Sequence, residues 1–400
     1  MNIVKKVYCR IFQAVFKLAI PILPYRSPEI LNNTAGAAKL LKSKDHSSVL
    51  IVTDAFLHKS GLIEQLKSSL TENGIKYSVY DKTVANPTVL NVEQAKEMYL
   101  SNACDAIIGF GGGSSIDCAK AVGARITRPK KPISKMKGIL KILKKTPFMI
   151  AIPTTAGTGS EVTVATVITD GDTHFKFPIS DFPLIPDAAV LCPELTRTLP
   201  RSLTSTTGMD ALTHAVEAFI GRSCVKSSRE DAIGAVKLIV ENLEAAYNNG
   251  DDMSARENML HGAFLAGRAF SKSYVGYCHA VAHSLGGKYN IPHGLANAVL
   301  LPYTLDIYGS AVYKKLKTLA VVIGIADENT DEETAAKRFI KKIRDMNKSM
   351  DIPDKLSGIK PKDLDELASH AEKEANPLYP VPKLMTKDEL KVLYLSVMEN

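Results

Sequence analysis

The stretch AIIGFGGGSSID, residues 106–117, decides the class of fold. Ala106–Gly109 is a short apolar run of the kind that forms a buried parallel strand. The residues that follow, Gly109-Phe110-Gly111-Gly112-Gly113-Ser114-Ser115, read as a loop, and a helix is expected from near Ile116. Glycines let a backbone approach a ligand closely, and a helix N-terminus presents free N–H groups with a partial positive charge. Strand, glycines and helix in that order make a pyrophosphate site. The run is not G-x-G-x-x-G, because Ser114 stands where the last glycine would be. No acid follows at the usual distance of about 20 residues. Asp54 ends an earlier strand instead, where it can accept hydrogen bonds from a ribose. A tight turn that binds nothing is the competing reading.

Working outward, residues 31–200 alternate strand and helix. Ser48–Thr53, Lys76–Tyr80 and Pro147–Ile152 read as further strands, and Lys59–Asn73 and Val92–Asn102 as helices. That alternation predicts a parallel sheet with helical crossovers. A second loop, PTTAGTGSE at 153–161, follows a strand and offers several hydroxyls and glycines around a phosphate or ribose. From about residue 202 the periodicity becomes helical, over Gly208–Ile220, Arg229–Tyr247, Ala255–Ser271, Val275–Leu285, Tyr313–Val322, Glu332–Met346 and Pro361–Ala375. The expected organisation is an amphipathic extension at 1–30, a Rossmann-like α/β dinucleotide-binding domain at 31–200, and an all-α metal-binding domain at 201–400.

Charge narrows the partners. Nine Lys/Arg and no acid lie between Arg125 and Lys145, and five more with no acid lie between Met1 and Arg26. These exceed the net charge of +8, so the remainder is mildly acidic. The tract at 125–147 reads as a surface loop running into a short basic helix. No aromatic residues interleave with its charges, so nucleic acid is not an expected partner. The six cysteines are scattered with no C-x-x-C pair, which suits reduced thiols and a cytoplasmic location. Near the N-terminus, Ile3, Val7, Ile11 and Val15 share one helical face, broken by Arg10 and Lys17 before it is long enough to span a bilayer. This helix is expected to dock on the protein's own body, with an assembly or a membrane surface as alternatives.

Metal-binding potential concentrates in the second half. Asp210 and His214 are one helical turn apart, as are His279 and His283, and His293 sits in Pro292-His293-Gly294, read as a loop. One carboxylate with three imidazoles suits Fe²⁺ or Zn²⁺ better than Mg²⁺ or Ca²⁺. The residual positive charge of such a site can polarise an alcohol or carbonyl oxygen. Spacing leaves open which of His279 and His283 is the ligand.

Four segments, GGGSSID at 111–117, PTTAGTGSEVT at 153–163, TGMDALTHAVEAF at 207–219 and CHAVAHSLGGKYNIPHGLANAVLLP at 278–302, resemble the iron-containing (group III) alcohol dehydrogenase family. The resemblance runs from about residue 31 to the C-terminus. It implies the dehydroquinate synthase-like architecture, hydride transfer between NAD(H) and a small alcohol or aldehyde, and a homodimer. It implies Asp210, His214, His279 and His293 as ligands to Fe²⁺, with Zn²⁺ fitting the same set. His283 would then be catalytic, facing nicotinamide and substrate, and Phe270 would wall the substrate pocket. For the cofactor it implies Asp54, Asn86, Gly112, Gly113, Ser114, Asp117, Thr154, Thr155, Thr158, Thr163 and Lys176, with Asp54 favouring NAD over NADP. Cys192-Pro193-Glu194-Leu195 departs from the family's Asp-Pro-Glu-Leu, and the segment His174–Phe177 around Lys176 is a looser match. Two other activities share the fold: a non-redox lyase or synthase that recycles NAD, and polyol oxidation of the glycerol dehydrogenase type. The first needs extra basic residues for a phosphorylated substrate, and the second lacks one partner of the Asp210/His214 pair.

Overall fold

The chain alternates strand and helix up to residue 190 and is helical beyond it. The computed structural model describes residues 3–171 and 176–399. First come α1 (Ile3–Ala19), β1 (Glu29–Leu31), α2 (Thr34–Ser43), β2 (Ser48–Val52), α3 (Ala55–Lys59), α4 (Glu64–Glu72), β3 (Lys76–Tyr80) and α5 (Val89–Ser101). Then follow β4 (Ala106–Gly111), α6 (Gly113–Thr127), β5 (Gly138–Ile139), β6 (Phe148–Pro153), β7 (Ala165–Thr169), β8 (Lys176–Ser180) and β9 (Ala188–Val190). The helical part comprises α7 (Arg201–Ile220), α8 (Lys226–Asn248), α9 (Met253–Ser273), α10 (Tyr277–Tyr289), α11 (His293–Tyr308), α12 (Tyr313–Val322), α13 (Glu332–Ser349), α14 (Leu364–Ala375) and α15 (Lys387–Val397). Two compact units result, one of residues 24–199 and one of 1–23 with 200–400.

In the first unit six parallel strands lie in the order β1-β9-β6-β4-β2-β3. Every residue of β2 and β4 is buried, as expected of strands covered on both faces. Alternate residues feed two cores. Leu50, Val52, Ile107 and Met149 pack with Val92, Ala95, Ile116 and Ala119 on one face. Val49, Ile51, Ile108 and Ile150 pack with Leu41, Leu66 and Leu70 on the other. The chain steps from β2 to β3 on one side and then returns to place β4 on the other. This reversal puts the ends of β2 and β4 side by side, with Val52 opposite Gly109, while Gly111 pairs with Pro153 of β6. Ligands of open parallel sheets bind beyond such strand ends.

Several local expectations need correction. The helix after the glycine loop starts at Gly113 rather than near Ile116, with Gly112 as N-cap, because the glycine and serine backbone closes the first turn itself. The helix expected over 59–73 begins only at Glu64, because Lys59 ends the separate α3 and Gly61 takes a left-handed conformation (φ 82°) between the two. The short basic helix expected within 125–147 is absent. Arg125 lies inside α6, where its guanidinium meets Glu93, and only a 3₁₀ turn at Ile133–Met136 follows. The Asp181 carboxylate accepts the N–H groups of Ile142 (2.7 Å) and Leu143 (2.9 Å), which holds that backbone out of a helix. A small sheet β5-β8-β7, antiparallel between β7 and β8, was not anticipated, since its strands are short and only partly buried. His174 and Phe175, used to place Lys176, lie outside the described residues.

The helical unit is built around α7, in which all of residues 208–220 are buried. A helix buried on every side is the central member of a bundle. Gly208 permits that packing, since a Cβ there would lie 2.3 Å from Leu243 Cδ1 of α8. His293, expected in a loop, is the first residue of α11. That helix escaped the periodicity because it is apolar all round and carries Pro302 in its interior. α1 lies against residues 377–382, where Arg10 donates to Val381 O (2.7 Å) and Gln13 to Tyr379 O (2.8 Å). Among the described residues no helix is long and apolar enough to cross a membrane.

Candidate metal centre and nucleotide loops

The buried middle of α7 carries Asp210 and His214 one turn apart, α10 supplies His279, and His293 opens α11. One donor atom from each of the four lies within 4.8 Å of all the others. His293 Nε2 is 3.5 Å and His279 Nε2 3.8 Å from Asp210 Oδ1. The first three residues are buried and His293 is half-buried. His279 Nε2 is buried with no hydrogen-bond partner. Such an orphan calls for an explanation, and a cation at the centre of the four donors supplies one. A carboxylate and three imidazoles fit a divalent iron or zinc ion. Burial and the neighbouring imidazoles push His279 well below the usual histidine range, which keeps it in the neutral, ligating form.

The geometry separates the two histidines that spacing left equivalent. His279 belongs to the four-donor cluster, whereas His283 stacks on His293 with ring centroids 5.0 Å apart. His283 Nδ1 lies 2.6 Å from Glu374 Oε1, which also accepts from Tyr379 Oη at 2.8 Å. The Phe270 ring stacks on His214 at 4.2 Å and so covers one side of the cluster.

Two supporting residues were missed from sequence. Glu217, fully buried on α7, places Oε2 2.6 Å from His279 Nδ1. Its carboxylate also accepts the N–H groups of Gly276 (2.8 Å) and Cys278 (2.9 Å). With Nδ1–H directed at Glu217, the His279 Nε2 lone pair is aimed at the other three donors of the cluster. Burial raises the Glu217 carboxyl to about 7. Asn297, one turn after His293, donates to Asp210 Oδ1 at 2.6 Å. The available signals were an acid inside an apolar run, three residues after His214, and the four-residue spacing from His293 to Asn297.

Of the proposed cofactor residues, Asp54 follows β2, Gly112–Ser114 follow β4 and Thr154, Thr155 and Thr158 follow β6, whereas Thr163 precedes β7. Asp54 caps α3, accepting the Leu57 N–H at 2.9 Å. Asn86 takes a left-handed conformation (φ 61°) and donates its N–H to Ser114 Oγ at 3.3 Å. The N-cap Gly112 brings no side chain to the first turn of α6, and a Cβ on Gly113 would stand 2.7 Å from Thr158 Cγ2. Bare backbone at a helix start beside Thr154, Thr155 and Thr158 fits a phosphate group. Asp117 and Thr163 are engaged by the protein itself. Asp117 accepts from Ser160 Oγ (2.5 Å) and Val167 N–H (2.8 Å), and Thr163 Oγ1 accepts from Lys120 Nζ (2.9 Å). Lys176 begins β8, and burial lowers its ammonium below the usual range. Sequence reading passed over the buried pair Lys120 and Glu161. The Lys120 ammonium also holds the carbonyls of Thr163 (2.8 Å) and Ala165 (3.0 Å). Burial lowers Lys120 to about 8 and raises Glu161 to about 7.

The comparisons with known proteins cover both units. Residues 31–193 match the family model described as iron-containing alcohol dehydrogenase, and 204–398 that of the Fe-containing alcohol dehydrogenase family, C-terminal. Alcohol dehydrogenase 4 of Schizosaccharomyces pombe is 38% identical, over 91% of this chain and 85% of its own. The NAD-dependent methanol dehydrogenase of Bacillus methanolicus is 36% identical, over 83% of this chain and 87% of its own. The crystal structure of a 1,3-propanediol oxidoreductase superposes with a TM-score of 0.90 at 33% identity, covering 93% of this chain and 99% of that one. The chain therefore belongs to the iron-containing alcohol dehydrogenase family.

Proposed function

We infer that this protein is a metal-dependent oxidoreductase that oxidises small primary alcohols or diols, or reduces the matching aldehydes, with NAD as hydride carrier. The observation that carries the reading is the four-donor cluster of Asp210, His214, His279 and His293 within 4.8 Å. When bound, iron or zinc supplies Lewis acidity toward a substrate oxygen, and NAD supplies the hydride acceptor. The residues of the chain do the rest. Asp210, steadied by Asn297, cancels one positive charge and leaves the site cationic enough to favour a developing negative oxygen. Glu217 fixes the ring of His279. Phe270 shields the His214 side from water. His283, held at Nδ1 by Glu374, is the group we assign to take up the proton that an alcohol loses. The Gly112–Ser114 turn and Thr154–Thr155 hold a pyrophosphate, and the Asp54 carboxylate disfavours a 2′-phosphate by like-charge repulsion, which selects NAD. The six free thiols suit a reducing compartment.

The test is anaerobic purification followed by NADH absorbance with a panel of short aldehydes, with and without added Fe²⁺ or Zn²⁺. Metal-dependent NADH consumption is expected. Folded protein that binds NAD but gives no NADH change with either metal would overturn the reading. His283→Ala is expected to lower turnover by about 100-fold or more while metal content stays whole.

A further inference from the structure

A helix lying on a globular body normally turns its apolar stripe inward. α1 does the reverse. It is held down by Cys9, Gln13 and Ile20, all buried, and by the Arg10 and Gln13 bonds to the backbone of residues 377–382. Phe16 adds an edge contact with the ring of Tyr274 at 5.0 Å. The opposite face carries Ile3, Val7, Ile11, Val15, Leu18 and, in the 3₁₀ turn that follows, Ile22. Their spacing is three or four residues, and their exposure runs from 51% at Val7 to 84% at Ile22. Beside α1 runs a groove lined by Ala14, Ala311, Pro382 and Leu384, with Lys6, Arg10, Lys383 and Glu389 also on its walls. A contiguous apolar face of this kind marks an interaction site.

We propose that the outward face of α1 is a docking surface for an anionic lipid bilayer. Charge decides between occupants. The first acid in the sequence is Glu29, so Lys5, Lys6, Arg10 and Lys17 bring positive charge to α1 with none of the opposite sign. At 100° per residue Lys6, Arg10 and Lys17 fall along one edge of the stripe. Two acids beside α1, Glu372 and Glu389, are paired with Lys5 (3.0 Å) and Lys383 (2.9 Å), and Arg10 holds the carbonyls of Val381 and Pro382, so Lys6 and Lys17 are the cations that meet the lipid. A second copy seated on this face would bring cation against cation. Lipid phosphates beside the stripe satisfy the cations while the acyl boundary takes the isoleucines and valines. The stripe lies flat and spans nothing, in keeping with its length.

The test uses the full chain, loaded with metal, in sedimentation with vesicles of phosphatidylcholine alone or mixed two to one with phosphatidylglycerol. Binding to the mixed vesicles is expected, and it should weaken as salt is raised. Ile11→Glu/Val15→Glu is expected to lower partition at least tenfold, and each of Lys6→Gln and Lys17→Gln about fivefold. Because these side chains are exposed, the variants should keep the wild-type melting temperature and NADH-dependent activity, which separates this surface from the metal centre. Failure to sediment with the mixed vesicles at low salt overturns the proposal. So does equal binding by Ile11→Glu/Val15→Glu, or a concentration-dependent dimer that this variant disperses.

Discussion

Glu217 touches no proposed substrate atom, yet it sets the orientation of His279 through a 2.6 Å contact inside a fully buried pocket. Glu217→Gln keeps the shape and loses the charge. It is expected to weaken metal affinity by about 10- to 100-fold, read by competition with a chelator, while helix content is retained. Unchanged affinity would reduce Glu217 to a clamp on the start of α10. Glu161 gives a pH signature in the other unit. Its carboxyl sits near 7 in the folded chain against an ordinary 4.5. Between those values the native state holds a proton that the unfolded chain has released, so stability falls as pH rises through the window. Glu161→Gln removes that loss. The melting temperature of the variant minus that of the wild type should grow from about pH 4.5 to about pH 7 and stay flat below it. A difference independent of pH would show that Glu161 is ionised throughout.

At the scale of elements, two glycines mark where backbone must come close. Gly113 opens α6 against Thr158, and an added Cβ would stand 2.7 Å from Thr158 Cγ2. Gly113→Ala should push the loop from the phosphate position and weaken NADH binding about tenfold, the equivalent of ~1.4 kcal/mol. Fluorescence titration measures this, and an unchanged Kd would place the cofactor elsewhere. Gly208 lies where α7 meets α8, with Leu243 Cδ1 2.3 Å and Met259 Cε 3.0 Å from the added Cβ. Both neighbours are buried, so Gly208→Ala is expected to destabilise the helical unit by about 1–3 kcal/mol in denaturant unfolding. A neutral result would mean that the pair repacks without strain.

At the scale of the whole chain, the proposed metal ligands and the proposed nucleotide loops belong to different compact units. Metal loading should therefore slow amide exchange in α7, α10 and α11 while leaving β2, β4 and β6 near their metal-free rates. At a hundredfold excess over Kd the linkage is worth about 2.7 kcal/mol. Equal protection of both units in hydrogen-exchange mass spectrometry would contradict this. NADH should give the complementary pattern.

The sequence by itself determined the class of both units. Ser48–Val52 and Ala106–Gly111 are apolar without alternation because parallel strands are covered on both faces, and that pattern is local. Asp210 and His214 were legible for the same reason, since a helix places i and i+4 together without help from the rest of the chain. Tertiary structure decided what spacing left open. His279 and His283 are equivalent along α10, and only the approach of α7 and α11 makes His279 the member of the four-donor cluster. The Glu217–His279 contact crosses 62 residues of sequence and Asn297–Asp210 crosses 87. Periodicity within one element carries no information about partners on another. The outward stripe of α1 follows the same logic. Its amphipathic pattern was plain, but which face met the body depended on carbonyls of residues 377–382, presented by a segment at the far end of the chain.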